Sequence, residues 1–164
     1  MREIQLTQGY KALVDDEDYE RVSQFKWLAV KNKRKNTVQV YAMTTVWIPK
    51  WKKSIALFLH HFILSYNPKG LQVDHIDRNT LNNQKQNLRH CTNTENNYNK
   101  PKGNFKNNYK GVHYYAERNK FRVNINVNKK YIFIGYFDDE IEAAKAYNEA
   151  AIKYHGEFAC LNII

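Results

Sequence analysis

The sequence predicts an α+β chain. A small β-rich region comes first, then a strand–loop–strand–helix segment, then a three-stranded antiparallel sheet packed on one helix. Three observations carry this reading. Phe121, Val123, Ile125 and Val127 alternate strictly with Arg122, Asn124, Asn126 and Asn128, the period of a half-buried strand. Ala143, Ala144, Ala146, Tyr147, Ala150 and Ala151 form a small-residue stripe on a strong helix former, which lets a helix lie close on a sheet. Thr92 followed by Glu95 is a capping box directly behind the short strand-like segment Asn87–Cys91.

The elements follow in order. Ile4–Thr7 alternates, Gly9 turns the chain, and Ala12–Val14 continues it. Asp15 and Asp16 can cap a short helix over Glu17–Gln24. Phe25–Val30 reads as a strand, Lys31–Asn36 as a basic loop, and Val38–Thr45 as a strand of β-branched and aromatic residues. Ser54–Leu59 is apolar and is expected to run as a helix through His60–Leu64, stopped by Asn67-Pro68-Lys69-Gly70. Leu71–His75 and Asn87–Cys91 read as a strand and its return, separated by the polar loop Asp77–Gln86. A helix begins at Asn93 and carries Asn96. Residues 100–108 form a basic, Asn-rich linker. Tyr109–Tyr115, Phe121–Val127 and Tyr131–Phe137 supply the last three strands, and Asp139 with Glu142 starts the last helix. Trp27, Trp47 and Trp51 are expected in the core of the first region.

Composition narrows the function. The chain has 164 residues, 26 Lys+Arg against 16 Asp+Glu, and a net charge of +10. That balance points to a polyanionic partner. The excess is local: residues 101–130 carry +7, and residues 131–164 carry −4. The sheet therefore holds the positive charge and the last helix the negative. Asn is abundant, with 11 of its 20 copies between Asn79 and Asn108. It favours turns and caps, and offers donors and acceptors to phosphates and adenine edges. No stretch of 18 apolar residues could span a membrane, and the N-terminus lacks the apolar run of a signal peptide. Cys91 and Cys160 form neither a disulfide framework nor a CxxC site. The expectation is a cytoplasmic protein.

Chemistry gathers at Asp74-His75 with Asn87 and Asn96. Asp and Asn oxygens suit a hard cation, and a neutral His beside it can take a proton from water. Adjacent strand residues face opposite ways, so Asp74 and His75 converge only where the strand distorts or ends.

Val73-Asp74-His75-Ile76-Asp77, Asn82-Asn83, Asn87-Leu88-Arg89 and Glu95-Asn96-Asn97 together resemble the motif of HNH endonucleases of the homing type. The resemblance implies a ββα-metal fold holding one divalent ion, Mg2+ or Mn2+. It implies Asp74 and Asn96 as metal ligands, His75 as general base, and Asn87 as a brace for the loop and the His ring. The final motif letter is Asn rather than His, and His61 stands where such motifs carry Arg. Residues 1–99 would form this nuclease domain, with a β-rich lead-in over 1–59 and the ββα-metal core over about 60–99. Tyr109-Lys110-Gly111-Val112, Ile134-Gly135-Tyr136-Phe137 and Glu142–Tyr147 are similar to the plant APETALA2-type DNA-binding domain, covering 109–164. That implies a sheet entering the DNA major groove through Lys110, His113, Tyr115, Arg122, Asn124, Asn126, Lys130, Tyr131 and Phe133. Several arginines of that family are His, Tyr or Asn here.

The implied activity is metal-dependent hydrolysis of phosphodiesters in double-stranded DNA. One site per chain suggests a monomer that nicks one strand, leaving 3′-hydroxyl and 5′-phosphate ends. The competing expectations are a non-cleaving, sequence-specific DNA-binding regulator with a relict site, and an RNA-binding protein.

Overall fold

A computed structural model describes all residues except 35–36, 66–67 and 102–107. The architecture is mixed, with several small antiparallel sheets and few helices. It divides into two compact units, Met1–Cys91 and Thr92–Ile164. Most of the expected linker, 102–107, lies outside the described residues.

In the first unit, β1 (Arg2–Gln5) pairs with β2 (Lys11–Val14) around Gly9, whose φ of +75° suits the turn. Helix α1 spans Asp16–Ser23. Asp15 stands at its N-cap but does not cap it; its carboxylate accepts hydrogen bonds from Gln84 Nε2 (2.9 Å) and from the Lys85 N–H (2.8 Å). β3 (Leu28–Arg34), β4 (Thr37–Ile48) and β5 (Lys53–Phe58) form an antiparallel meander. Two expectations change here. Strand β3 runs through the supposed basic loop, pairing Lys31 with Val40 and Asn32 with Gln39. Ser54–Phe58 is strand rather than helix, because the long β4 offers it a ladder from Met43 to Ile48. Cross-strand pairing overrides the helical reading of a short apolar run. Only Leu59–Leu64 is helical, as α2. β6 (Gln72–His75) and β7 (Leu88–Cys91) form a two-stranded ladder, as the sequence indicates.

Trp27 centres the first core. It is 1% exposed, and its indole N–H donates to the Val22 carbonyl at 2.9 Å. Phe25 and Phe62 meet its ring edge to face, with centroids 6.2 and 5.8 Å away. Trp47 and Trp51 contradict their expected burial. They are 56% and 59% exposed, since the β4–β5 hairpin extends past the core and carries Trp47 on β4 and Trp51 in its turn.

The second unit begins with α3 (Asn93–Tyr98), whose capping box forms as the sequence requires. The hydroxyl of Tyr98 accepts from the Asn128 N–H at 2.7 Å, and its ring stacks on His155 at 3.7 Å. These contacts group α3 with the C-terminal residues. β8 (Val112–Tyr115), β9 (Lys120–Val127) and β10 (Lys130–Phe137) follow in spatial order β10-β9-β8. Helix α4 (Glu140–His155) covers one face, with Ala143, Ala144, Tyr147, Ala150 and Ala151 buried with Val112, Val123 and Ile125. Asp139 caps it, accepting from the Glu142 N–H at 2.9 Å.

Gly111 makes this packing possible. Its φ is +76°, and a Cβ would sit 2.1 Å from the Tyr147 ring and 2.7 Å from the Asn124 carbonyl oxygen. The Gly111→Ala variant is therefore expected to lose about 2–4 kcal/mol of stability in the second unit, from backbone strain and overpacking together. Urea unfolding followed by far-ultraviolet dichroism measures it.

Candidate functional site

The first candidate site lies on the β6–β7 hairpin. Asp74 stands opposite Arg89 in the ladder, and His75 ends β6 opposite Leu88. Both are buried, at 7% and 5% exposed. The Asp74 carboxylate accepts from Arg89 Nη2 at 2.8 Å and Nε at 3.1 Å, both on Oδ2. A buried carboxylate needs such a partner. The His75 ring lies among Tyr41 (6.4 Å) and His60 (5.2 Å), and its Nε2 is 3.4 Å from Asn83 Oδ1. That contact suits the tautomer with its proton on Nε2 and its lone pair on Nδ1.

The loop after His75 is tied down. The Ile76 N–H donates to the Asn87 carbonyl at 2.9 Å, and the Asp77 N–H to Asn87 Oδ1 at 2.9 Å. Asn87 Nδ2 returns bonds to Asp77 Oδ1 and the Asn82 carbonyl, both 2.8 Å. Asp77 also accepts from the Asn79 N–H (2.8 Å) and Asn82 Nδ2 (2.7 Å). The far side of the loop is stitched to β2: the Leu13 N–H donates to Leu81, and the Asn83 N–H to Leu13, both at 2.8 Å. Asn87 thus ties the loop together. The recorded ring contact comes instead from Asn83, which is 1% exposed and reads as a turn residue in the sequence.

Electrostatics follow from burial. His60 is pushed down to about 3, first by burial and then by the facing His75 and His61. His61 is lowered by burial and by His90. His75 is lowered by burial, against opposition from the Asn83 contact and the Asp77 and Asp74 charges. These three imidazoles are therefore neutral near pH 7. For Asp77, burial works upward, but bonds from Asn82, Asn79 and Asn87 outweigh it and lower its pKa. Among the described residues no group of three or more His, Cys, Asp or Glu could hold a metal ion. That does not suit a closed structural zinc site. One buried carboxylate does suit magnesium, which keeps several waters and takes few protein ligands beside substrate phosphates. Asn96 lies on α3 in the second unit.

The second candidate site is the uncovered face of the C-terminal sheet. By register, Arg122 stands opposite His113 on one side and Tyr136 on the other; Asn124 pairs with Phe133, and Asn126 with Tyr131. Tyr115, paired with Lys120, continues the same face. Seven of the nine residues expected to meet DNA are thus together: His113, Tyr115, Arg122, Asn124, Asn126, Tyr131 and Phe133. Lys110 is not on this face; its Nζ donates to the Tyr98 and Lys100 carbonyls, both at 2.7 Å. Lys130 sits at the turn opposite Val127, on the other phase of the ladder. Tyr136 joins the face unexpectedly. The register shifts between Phe133 and Gly135, so Tyr136 rather than Gly135 faces outward. Its ring lies 5.1 Å from Phe133 and 5.8 Å from Tyr115, with the Arg118 guanidinium 4.9 Å above it. Gly135 inside a strand is the sequence signal for such a bulge.

A cavity of about 370 Å³ also opens in the second unit, lined by Tyr98, Lys110, Lys129, Tyr147 and His155 among others. No helix of the described residues is long and apolar enough to cross a membrane.

Residues 65–98 match a family model described as HNH endonuclease (HNH_3). A protein of Acanthamoeba polyphaga mimivirus, described as an uncharacterized HNH endonuclease, is 37% identical over 111 residues, covering 65% of this chain and 57% of the relative. The APETALA2-like protein 2 of Oryza sativa, in the indica and japonica subspecies, is 53% identical over 36 residues, 22% of this chain and 8% of the relative. The chain thus spans little more than half of the viral relative and a small part of the rice ones.

Two outcomes are expected. The Asn87→Ala variant removes one of three donors to the Asp77 carboxylate, the donor to the Asn82 carbonyl and the acceptor of the Asp77 N–H. Urea unfolding should show the first unit destabilised by about 2–4 kcal/mol. Acid should also weaken this unit. An unfolded imidazole takes its proton near 6.5, whereas folded His60 resists until about 3. The unfolded state therefore binds more protons between those values, and stability falls as pH drops from about 6.5 toward 3. Urea midpoints measured across that range should show the slope, and His60→Gln should reduce it.

Proposed function

We propose that the chain is a DNA endonuclease of the HNH homing type that hydrolyses phosphodiester bonds, nicking one strand as a monomer. The observation that supports it best is the buried Asp74-His75 pair on a braced hairpin, inside the segment similar to HNH endonucleases. In this reading residues 1–99 are the nuclease part, 100–108 a linker and 109–164 an APETALA2-type DNA-binding part.

His75 is the general base. Burial keeps it neutral, and the Asn83 contact at Nε2 holds the ring, so the imidazole can take the proton of an attacking water. Asn87 holds the loop that follows, so the ring keeps its aim without reorganising during the reaction. Asp74 stays oriented through Arg89. By the motif, Asp74 and Asn96 would be the oxygen ligands of one Mg2+ or Mn2+, and such an ion would supply charge stabilisation at the scissile phosphate and the leaving 3′-oxygen. The seven residues on the open sheet face, with Lys110 and Lys130 as flanking cations, select where on double-stranded DNA the cut falls.

The His75→Ala variant is expected to lose nicking of supercoiled plasmid in magnesium by at least about a hundredfold, the usual worth of a general base, while duplex binding stays intact. Unaltered nicking by this variant would sink the assignment. Selective binding by the wild-type chain with no nicking in either metal would favour a DNA-binding regulator with a relict site.

A further inference from the structure

The outward face of the β9–β10 ribbon is built of couples, and the couples have a chemistry. Asn124 stands directly opposite Phe133, and Asn126 directly opposite Tyr131. Residues so placed have Cβ atoms about 4.5–5.5 Å apart and act on one target together. Both rings are exposed, Phe133 by 50% and Tyr131 by 80%. Among the described residues neither side-chain amide has a hydrogen-bond partner. Two exposed rings on one sheet face, the Phe133 ring with the Arg122 guanidinium 5.6 Å over it, mark a contact surface, and the amides beside them are available to a partner.

We infer that each couple reads one A·T base pair in the major groove: the Asn amide takes adenine, and the ring across the ladder takes the thymine methyl of the same pair. The inference rests on the proposed role of this sheet as the DNA-contacting face and names what that face selects.

The pattern on the base edges decides the choice. Adenine presents an N7 acceptor beside an N6 donor, which an Asn amide meets with Nδ2 and Oδ1. Guanine presents two acceptors, O6 and N7, so Oδ1 would face another acceptor. Thymine adds an apolar C5 methyl that suits an aromatic ring, and cytosine has none. Neither couple contains an Arg or Lys that would prefer guanine. The spacing adds a second constraint. Asn124 and Asn126 are two residues apart on one strand, about 6.8 Å at 3.4 Å per residue. Base pairs rise about 3.4 Å each, so the couples address pairs two steps apart. A two-stranded ribbon fits the width of the major groove, and β9 and β10 have eight residues each against four for β8.

The test uses the full chain on duplex DNA in chelator, so that no strand is cut. Selection from a random duplex library should enrich A·T pairs two steps apart. On the selected site, uracil in place of either thymine removes only the methyl. Replacing either adenine by 7-deazaadenine removes only the N7 acceptor. Each change should weaken binding about tenfold, within the range of one good base contact. The Phe133→Ala chain should then bind thymine and uracil sites equally at one step, and Asn124→Ala should bind adenine and 7-deazaadenine equally at the same step. Enrichment of G·C at either step, or indifference to both modified bases, overturns the inference while leaving the His75 nicking result untouched. Absence of any selective duplex binding overturns both this inference and the reading of the sheet as a DNA face.

Discussion

The mutual hydrogen bonding of Asn87 and Asp77 is what the catalytic reading of the first unit depends on. Asn87 gives both sides of its amide to the loop, accepting from the Asp77 N–H and donating to the Asp77 carboxylate and the Asn82 carbonyl. A ten-residue loop with so many polar groups would otherwise leave the end of β6 loose. With the loop fixed, His75 is 5% exposed and aimed by Asn83, and Asp74 is held by Arg89 across the ladder. Burial lowers the pKa of His60, His61 and His75 and keeps them neutral. The braced loop and the fixed ring thus belong to one part of the hairpin.

The two units handle polarity in opposite ways. The hairpin buries its Asp and His and satisfies them internally. The C-terminal sheet turns its Asn, Arg and aromatic residues outward over a core of small and branched side chains. That core depends on Gly111, because only a residue without Cβ lets β8 lie against Tyr147. Close helix packing on one face frees the other for contact.

Much of this was legible from sequence. Strict alternation over 121–128 placed Asn124 and Asn126 on the open face, and the register bears that placement out. The capping box set the start of α3, and the hairpin strands fell where the spacing put them. Other features had no local signal. The helical reading of Ser54–Phe58 failed because its partner strand lies elsewhere in the chain. Trp47 and Trp51 look like core residues by type, yet they lie at the end of β4 and in the turn after it, beyond the core. Asn83 resembles any turn Asn until β2 fixes the loop and turns it toward His75. Arg89 could have been found by counting the hairpin back from its loop, which sets a basic residue opposite Asp74.

Sequence by itself determined the element order, the polar and apolar phases of the C-terminal strands, the separation of charge between sheet and helix, and the spacing of Asp74, His75, Asn87 and Asn96. These are properties of near neighbours, and periodicity or capping chemistry reports them directly. Tertiary structure alone decided which amide meets the His75 ring, that Lys110 is held by the carbonyls of Tyr98 and Lys100, and that a bulge brings Tyr136 onto the open face. Those outcomes depend on register and on contacts between distant segments. A one-residue shift in a ladder reverses every side chain beyond it, and composition carries no record of where such a shift falls.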